Sequence, residues 1–104
     1  MKRIMLICGA GMSTSLLVTK MQKAAMDAGE EADIFALGAT AGLKKLTEVD
    51  CVLLGPQIRY LKKEVEKEIE KLGLDLPFEV IDMRDYGTMN GEKVYAFAKK
   101  LMGE

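Results

Sequence analysis

Apolar residues fall along this chain in two patterns. Short unbroken runs occur at Ile4 to Ile7 and at Cys51-Val52-Leu53-Leu54, with softer versions at Ala32 to Leu37 and Phe78 to Ile81. Runs of this length suit strands buried on both faces of a parallel sheet. Between them, apolar residues recur at helical spacing. Leu16, Leu17, Met21, Ala24, Ala25 and Ala28 form one set; Ile58, Leu61, Val65, Ile69 and Leu72 a second; Val94, Phe97, Ala98 and Leu101 a third. Gly29 is placed to stop the first helix. Gly55-Pro56 closes the third strand, and Gly73 to Pro77 is a connection. Gly38 to Thr47 reads as a loop with a short helix, and Asp82 to Asn90 as a long polar loop.

Strands alternating with helices predict βαβ units, hence an α/β fold with a parallel sheet. Right-handed crossovers place helices on both faces. The simplest arrangement is a small doubly wound four-stranded sheet of order 2-1-3-4, formed by residues 1–104 as a single domain. Strand order then reverses between strands 1 and 3. Ligands bind such sheets at that reversal, outside the carboxyl ends of the strands. Cys8 ends strand 1 there, and Gly55-Pro56-Gln57 ends strand 3. Gln57 and Tyr60 after strand 3, and Tyr86 after strand 4, are expected to line the crevice or meet a partner. Asp82 and Asp85 are open to two roles, general acid or turn former. The charged face from Lys62 to Lys71 reads as solvated helix surface.

Cys8 opens the segment Gly9-Ala10-Gly11-Met12-Ser13-Thr14-Ser15, rich in glycine and hydroxyls, which leads into the first helix. Backbone N–H groups of a glycine-rich turn at a helix N-terminus converge into an anion cradle. The same field favours a thiolate over a thiol. A nucleophile and a phosphate-sized site are thus predicted in one segment, with residues 9 to 15 binding phosphate. Ser13, Thr14 and Ser15 could cap the helix or donate to the anion. Met12 could tuck inward or stand at a partner surface. Cys51, inside an apolar strand, reads as buried and inert.

Composition narrows the chemistry. The chain has 104 residues, a formal net charge of -1, two cysteines and no histidine. Interspersed charge argues against nucleic-acid binding. Absence of histidine removes the commonest general base and metal ligand, and the cysteines lack ligand spacing. Neither a metal nor a cofactor is expected. The thiols are expected to stay reduced. Lys2-Arg3 before a four-residue apolar run is too short for a signal sequence, and no stretch reaches membrane-spanning length. A cytoplasmic location follows as an expectation. Gly9 and Gly11 do not make a dinucleotide fingerprint, because Thr14 stands where the third glycine would fall, and no Walker loop is present.

One residue separates two phosphoryl chemistries. The predicted sheet resembles the low-molecular-weight phosphotyrosine phosphatase architecture, and cysteine-dependent phosphatases of that kind carry Cys-x5-Arg. Counting from Cys8, the arginine position is Thr14, and the loop holds neither Arg nor Lys. Without that clamp on the equatorial oxygens, a phosphocysteine that persists until an acceptor arrives is the better reading. A thiol-dependent reductase would want a second thiol in the loop. A pure binding module would tolerate loss of Cys8.

The chain closely resembles the B component (enzyme IIB) of the lactose/cellobiose/diacetylchitobiose family of the sugar phosphotransferase system. Three stretches carry the resemblance: Cys8 through Val18, Val52-Leu53-Leu54-Gly55-Pro56-Gln57-Ile58, and Val80-Ile81-Asp82 with Tyr86-Gly87. The resemblance implies a phosphotransferase in which Cys8 accepts a phosphoryl group from a phosphohistidine on the IIA protein. Cys8 would then pass it to a β-linked disaccharide of the cellobiose, diacetylchitobiose or lactose type, held by the membrane-embedded IIC permease. It also implies a chain that is monomeric in isolation and transiently at the inner membrane face with IIC.

Overall fold

The computed structural model describes residues 1–8 and 14–104, with Thr14 described through its backbone alone. Strands β1 (Lys2–Cys8), β2 (Ala32–Gly38), β3 (Cys51–Leu54) and β4 (Phe78–Val80) alternate with helices α1 (Thr14–Asp27), α2 (Ala39–Leu43), α3 (Lys62–Lys71), α4 (Met83–Gly87) and α5 (Gly91–Leu101). The strands form one sheet of order β2-β1-β3-β4, all pairs parallel, as the pattern predicts. Two 3₁₀ segments, Leu46–Glu48 and Pro56–Leu61, join β3 to its neighbours.

Two central strands divide the core by parity. Ile4 and Leu6 of β1, with Cys51 and Leu53 of β3, pack against Leu17, Val18, Met21, Val94, Tyr95 and Ala98 of α1 and α5. Met5, Ile7, Val52 and Leu54 point the other way, onto Leu46, Ile58, Val65 and Ile69. This alternation explains why the two strands read as unbroken apolar runs: each residue meets a helical layer. Gly29 (φ 71) and Gly73 (φ 67) end α1 and α3 in the left-handed conformation, which costs glycine little.

One segment departs from the expectation. Asp82 to Asn90 is not a long loop but contains α4. Asp82 caps it, its Oδ1 accepting from the N–H groups of Arg84 (2.8 Å) and Asp85 (3.2 Å). Asn90 then caps α5 by accepting from Lys93 N–H at 3.1 Å. Capping by Asp and Asn is worth about 1 kcal/mol per helix, enough to hold a helix too short to show periodicity.

Side chains occupy both sheet edges. On β2, the Gln22 amide donates to the Ile34 carbonyl at 2.9 Å. On β4, Ile81 N–H reaches inward to the Leu54 carbonyl, so Val80 N–H points outward. It donates to the carboxylate of Glu79 (3.0 Å), which also accepts from Lys62 (2.7 Å). The Lys62 contact, then that of Val80, holds the Glu79 carboxyl below the usual range.

Buried acids make the fold alkali-sensitive. Burial, and secondarily the charge of Asp50, pushes the Cys51 thiol from 9.0 up to about 12. Burial and the hydrogen bond to Glu30 raise Tyr95 from 10.0 to about 12. Both groups fold neutral. Their contributions are therefore complete below pH 9 and 10 respectively, and fade as pH climbs toward 12. For Cys51 the total is of the order of 4 kcal/mol. The urea midpoint should fall steadily above about pH 9. The stability gap between wild type and Cys51→Ala should narrow over the same range. A gap that stays constant from about pH 8 to 11 refutes this.

Candidate functional site

The site is assembled where strand order reverses. Cys8 is the last residue of β1, flanked by β2 and β3, and pairs with Gly38. It is 3 % exposed, with its Sγ 3.8 Å from the Leu37 carbonyl. The β1–β3 ladder runs through Ile7↔Leu54 and continues with Gly55 N–H donating to the Ile7 carbonyl at 2.9 Å. Cys8 and Gly55 therefore stand side by side at the carboxyl end of the sheet.

Gly9, Ala10, Gly11, Met12 and Ser13, expected to form the anion-binding turn, lie outside the described residues, as does the side chain of Thr14. The start of the first helix fits the expectation. α1 begins at Thr14 and carries no acid in its first turn, so nothing there opposes an anion at its N-terminus. Ser15 is exposed, and its carbonyl accepts from Thr19 Oγ1 at 3.1 Å.

The three crevice candidates separate. Tyr60 is 74 % exposed on the 3₁₀ segment after β3. Gln57 is also exposed, yet its Oε1 folds back over Gly55, 2.7 Å from where a Cβ on that glycine would lie. Tyr86 is only 7 % exposed. It belongs to the core cluster with Ile4, Leu6 and Leu53, with its Cε2 against Gly55. Tyr86 is thus wall of the crevice rather than a surface a partner could cover. Asp82 is committed to its cap, which favours the turn-former reading over the general acid. Cys51 is buried, and neither thiol is in a disulfide.

Sequence reading did not single out an apolar rim. Leu16 at the start of α1, Tyr60 after β3 and Met83 at the start of α4 are large, apolar or aromatic, and exposed. All three follow strand ends on the Cys8 side of the sheet. Helical periodicity identifies inward positions and counts Leu16 among them, yet Leu16 is 51 % exposed. Tyr60 is expected at the crevice or a partner, and the one further signal, for Met83, is an apolar residue shortly after a strand terminus. Among the described residues, no group of His, Cys, Asp and Glu could hold a metal, and no helix is long and apolar enough to cross a membrane.

A model of the family described as "PTS system, Lactose/Cellobiose specific IIB subunit" matches residues 3–97. The chain belongs to this family. IIB components are phosphotransferases that work with IIA and IIC partners. The chain is 47% identical over 102 residues to the oligo-beta-mannoside-specific EIIB component of Bacillus subtilis, covering 98% of this chain and 97% of that one. It is 50% identical over 107 residues to the cellobiose-specific EIIB component of Lactococcus lactis, covering 97% and 96%. The solution structure of a cellobiose-specific IIB component from Borrelia burgdorferi superposes with a TM-score of 0.80 at 41% identity, over 98% of this chain and 92% of that one. The architecture of the low-molecular-weight phosphotyrosine phosphatases is shared too. A YwlE mutant from Bacillus subtilis superposes with a TM-score of 0.52 at 12% identity, over 98% and 94% of the two chains, a likeness of fold alone.

Proposed function

We propose that this IIB chain is a phosphoryl carrier working through Cys8. The observation that carries the reading is the placement of Cys8. It is a barely exposed thiol at the carboxyl end of β1, at the strand-order reversal, followed by a helix whose first turn bears no acid.

In the first step the Cys8 thiolate attacks phosphorus in line with the N–P bond of a phosphohistidine on the IIA protein. The S–P bond forms, the N–P bond breaks, and the imidazole leaves with the electron pair and takes a proton from water. In the second, a sugar hydroxyl held by membrane-embedded IIC attacks phosphorus. The S–P bond breaks, the thiolate is regenerated, and the hydroxyl proton goes to a base outside this chain, which has no histidine of its own. Such transfers depend on positioning and charge stabilisation more than on acid–base groups. Residues 9 to 15 would cradle the phosphoryl oxygens.

The apolar rim of Leu16, Tyr60 and Met83 suits partners that dock in turn over one face. The acceptor sugar is a β-linked disaccharide, in keeping with relatives named for cellobiose and oligo-β-mannosides. The chain would act in the cytoplasm and at the inner face of the membrane.

The test is to incubate the protein with phosphorylated IIA and map the adduct by mass spectrometry. The label is expected on Cys8. Label on Cys51, or on a serine of residues 9 to 15 instead of Cys8, overturns the reading.

A further inference from the structure

Gly55 is a glycine for a reason other than backbone freedom. Its φ of -62 and ψ of 144 are extended values open to any residue. A Cβ there would stand 3.6 Å from the Ile7 carbonyl oxygen and 3.8 Å from Tyr86 Cε2, both ordinary contacts. Among the described residues, the one collision would be with Gln57 Oε1, at 2.7 Å. The missing side chain therefore makes room for the Gln57 amide.

That space adjoins the Cys8 side chain. Register partners on β1 and β3 share a face: Ile4, Leu6, Cys51 and Leu53 all point toward α1 and α5. One step further, the same alternation puts Cys8 and the open side of Gly55 on that face together. Neighbouring strands lie about 4.8 Å apart, within reach of a phosphoryl group carried on sulfur.

We infer that Gln57 is a phosphoryl-binding residue of this chain, its side-chain amide N–H donating to an oxygen of the phosphoryl group on Cys8, with Gly55 as the seat that admits it. The assignment rests on Cys8 being the phosphoryl carrier. Rotation about the last side-chain bond exchanges the amide oxygen for its nitrogen, so Gln57 can turn either an acceptor or a donor toward that space. A neutral donor suits a carrier. It orients the phosphoryl group without the cationic clamp that a hydrolase aims at equatorial oxygens.

The experiment compares wild type, Gln57→Ala, Gln57→Glu, Gly55→Ala and the Gly55→Ala/Gln57→Ala double variant. Each is brought to equilibrium with phosphorylated IIA and observed by ³¹P NMR, with thermal melts to confirm folding. Gln57→Ala should shift the phosphocysteine resonance and lower its equilibrium occupancy about tenfold. Gln57→Glu should lower it further and raise the pH at which the ³¹P shift titrates, because a like charge disfavours the dianion. Gly55→Ala should reproduce the Gln57→Ala loss by displacing the amide, and add almost nothing in the Gln57→Ala background. If wild type carries no label on Cys8, the carrier reading falls and this assignment with it. If wild type is labelled on Cys8 but Gln57→Ala matches it in shift and occupancy, this assignment alone is overturned. Full additivity of Gly55→Ala with Gln57→Ala also overturns it.

Discussion

Replacing Cys8 by serine is expected to abolish phosphoryl acceptance while leaving the fold standing. The two side chains differ by one atom, and the site asks little of that atom structurally. Sγ approaches the Leu37 carbonyl at 3.8 Å, and a hydroxyl can donate to the same oxygen. Stability should change by no more than about 1 kcal/mol. Chemically the difference is large. A thiol is intrinsically nucleophilic and partly ionised near neutral pH, whereas a hydroxyl needs a neighbouring base. The chain has no histidine to serve as one. Initial rates of transfer from phosphorylated IIA should fall by at least about a thousandfold. A serine variant that melts with wild type and transfers at a comparable rate would place the nucleophile elsewhere.

The largest effect on stability is expected at Gly91→Ala. Gly91 opens α5 where that helix crosses α1, and it is buried. An added Cβ would stand 2.5 Å from the Lys20 carbonyl carbon, 2.6 Å from Lys20 Cβ and 2.7 Å from Met21 N. Two of these three atoms are backbone, so relief requires the helices to separate rather than a rotamer to turn. Overpacking against such a rigid neighbour costs about 3 kcal/mol. That would lower the melting temperature of a domain this size by roughly 15 °C. Gly38→Ala is the control: its φ is -69 and, among the described residues, no atom lies within 4 Å of an added Cβ. It should melt within a few degrees of wild type, or slightly higher, by about 0.4–1 kcal/mol of reduced unfolded-state entropy. Equal melting of the two variants would show that α1 and α5 are not held at this spacing.

What could be read in advance depends on the range over which each signal acts. β3 was legible residue for residue because Cys51 to Leu54 is wholly apolar and bounded by Asp50 and Gly55-Pro56. Sheet order came from alternation and handedness, and with it the place of Cys8, since both depend on connectivity rather than packing. α4 was hidden because five residues show no period and its signals, the Asp82 cap and the inward Tyr86, resemble those of a turn. The burial of Tyr86 and the seating of Gln57 over Gly55 depend on how separate segments come together. Tyr86 and Gly55 are brought into contact only when β4 pairs with β3. Tyr60 was expected at the crevice or a partner, but its grouping with Leu16, which periodicity assigned inward, and with Met83 was not legible, because an exposed apolar residue breaks no rule of local structure.

The side chains on the sheet edges matter most when the chain is alone. In a concentrated solution each copy of the chain is surrounded by others like it. An open strand edge in such a crowd is a template on which copies could stack. The Ile34 carbonyl is already occupied by Gln22, and the Val80 N–H by Glu79 beside Lys62. An arriving strand would have to break these bonds and bring its backbone up to charged groups before gaining any of its own. Each plug spans only a residue or two, yet a parallel ladder cannot be extended in register across it, along either the long edge strand β2 or the short β4. Edge-to-edge pairing is thus opposed along the two flanks of the sheet, while the exposed apolar side chains of Leu16, Tyr60 and Met83 lie toward its carboxyl end.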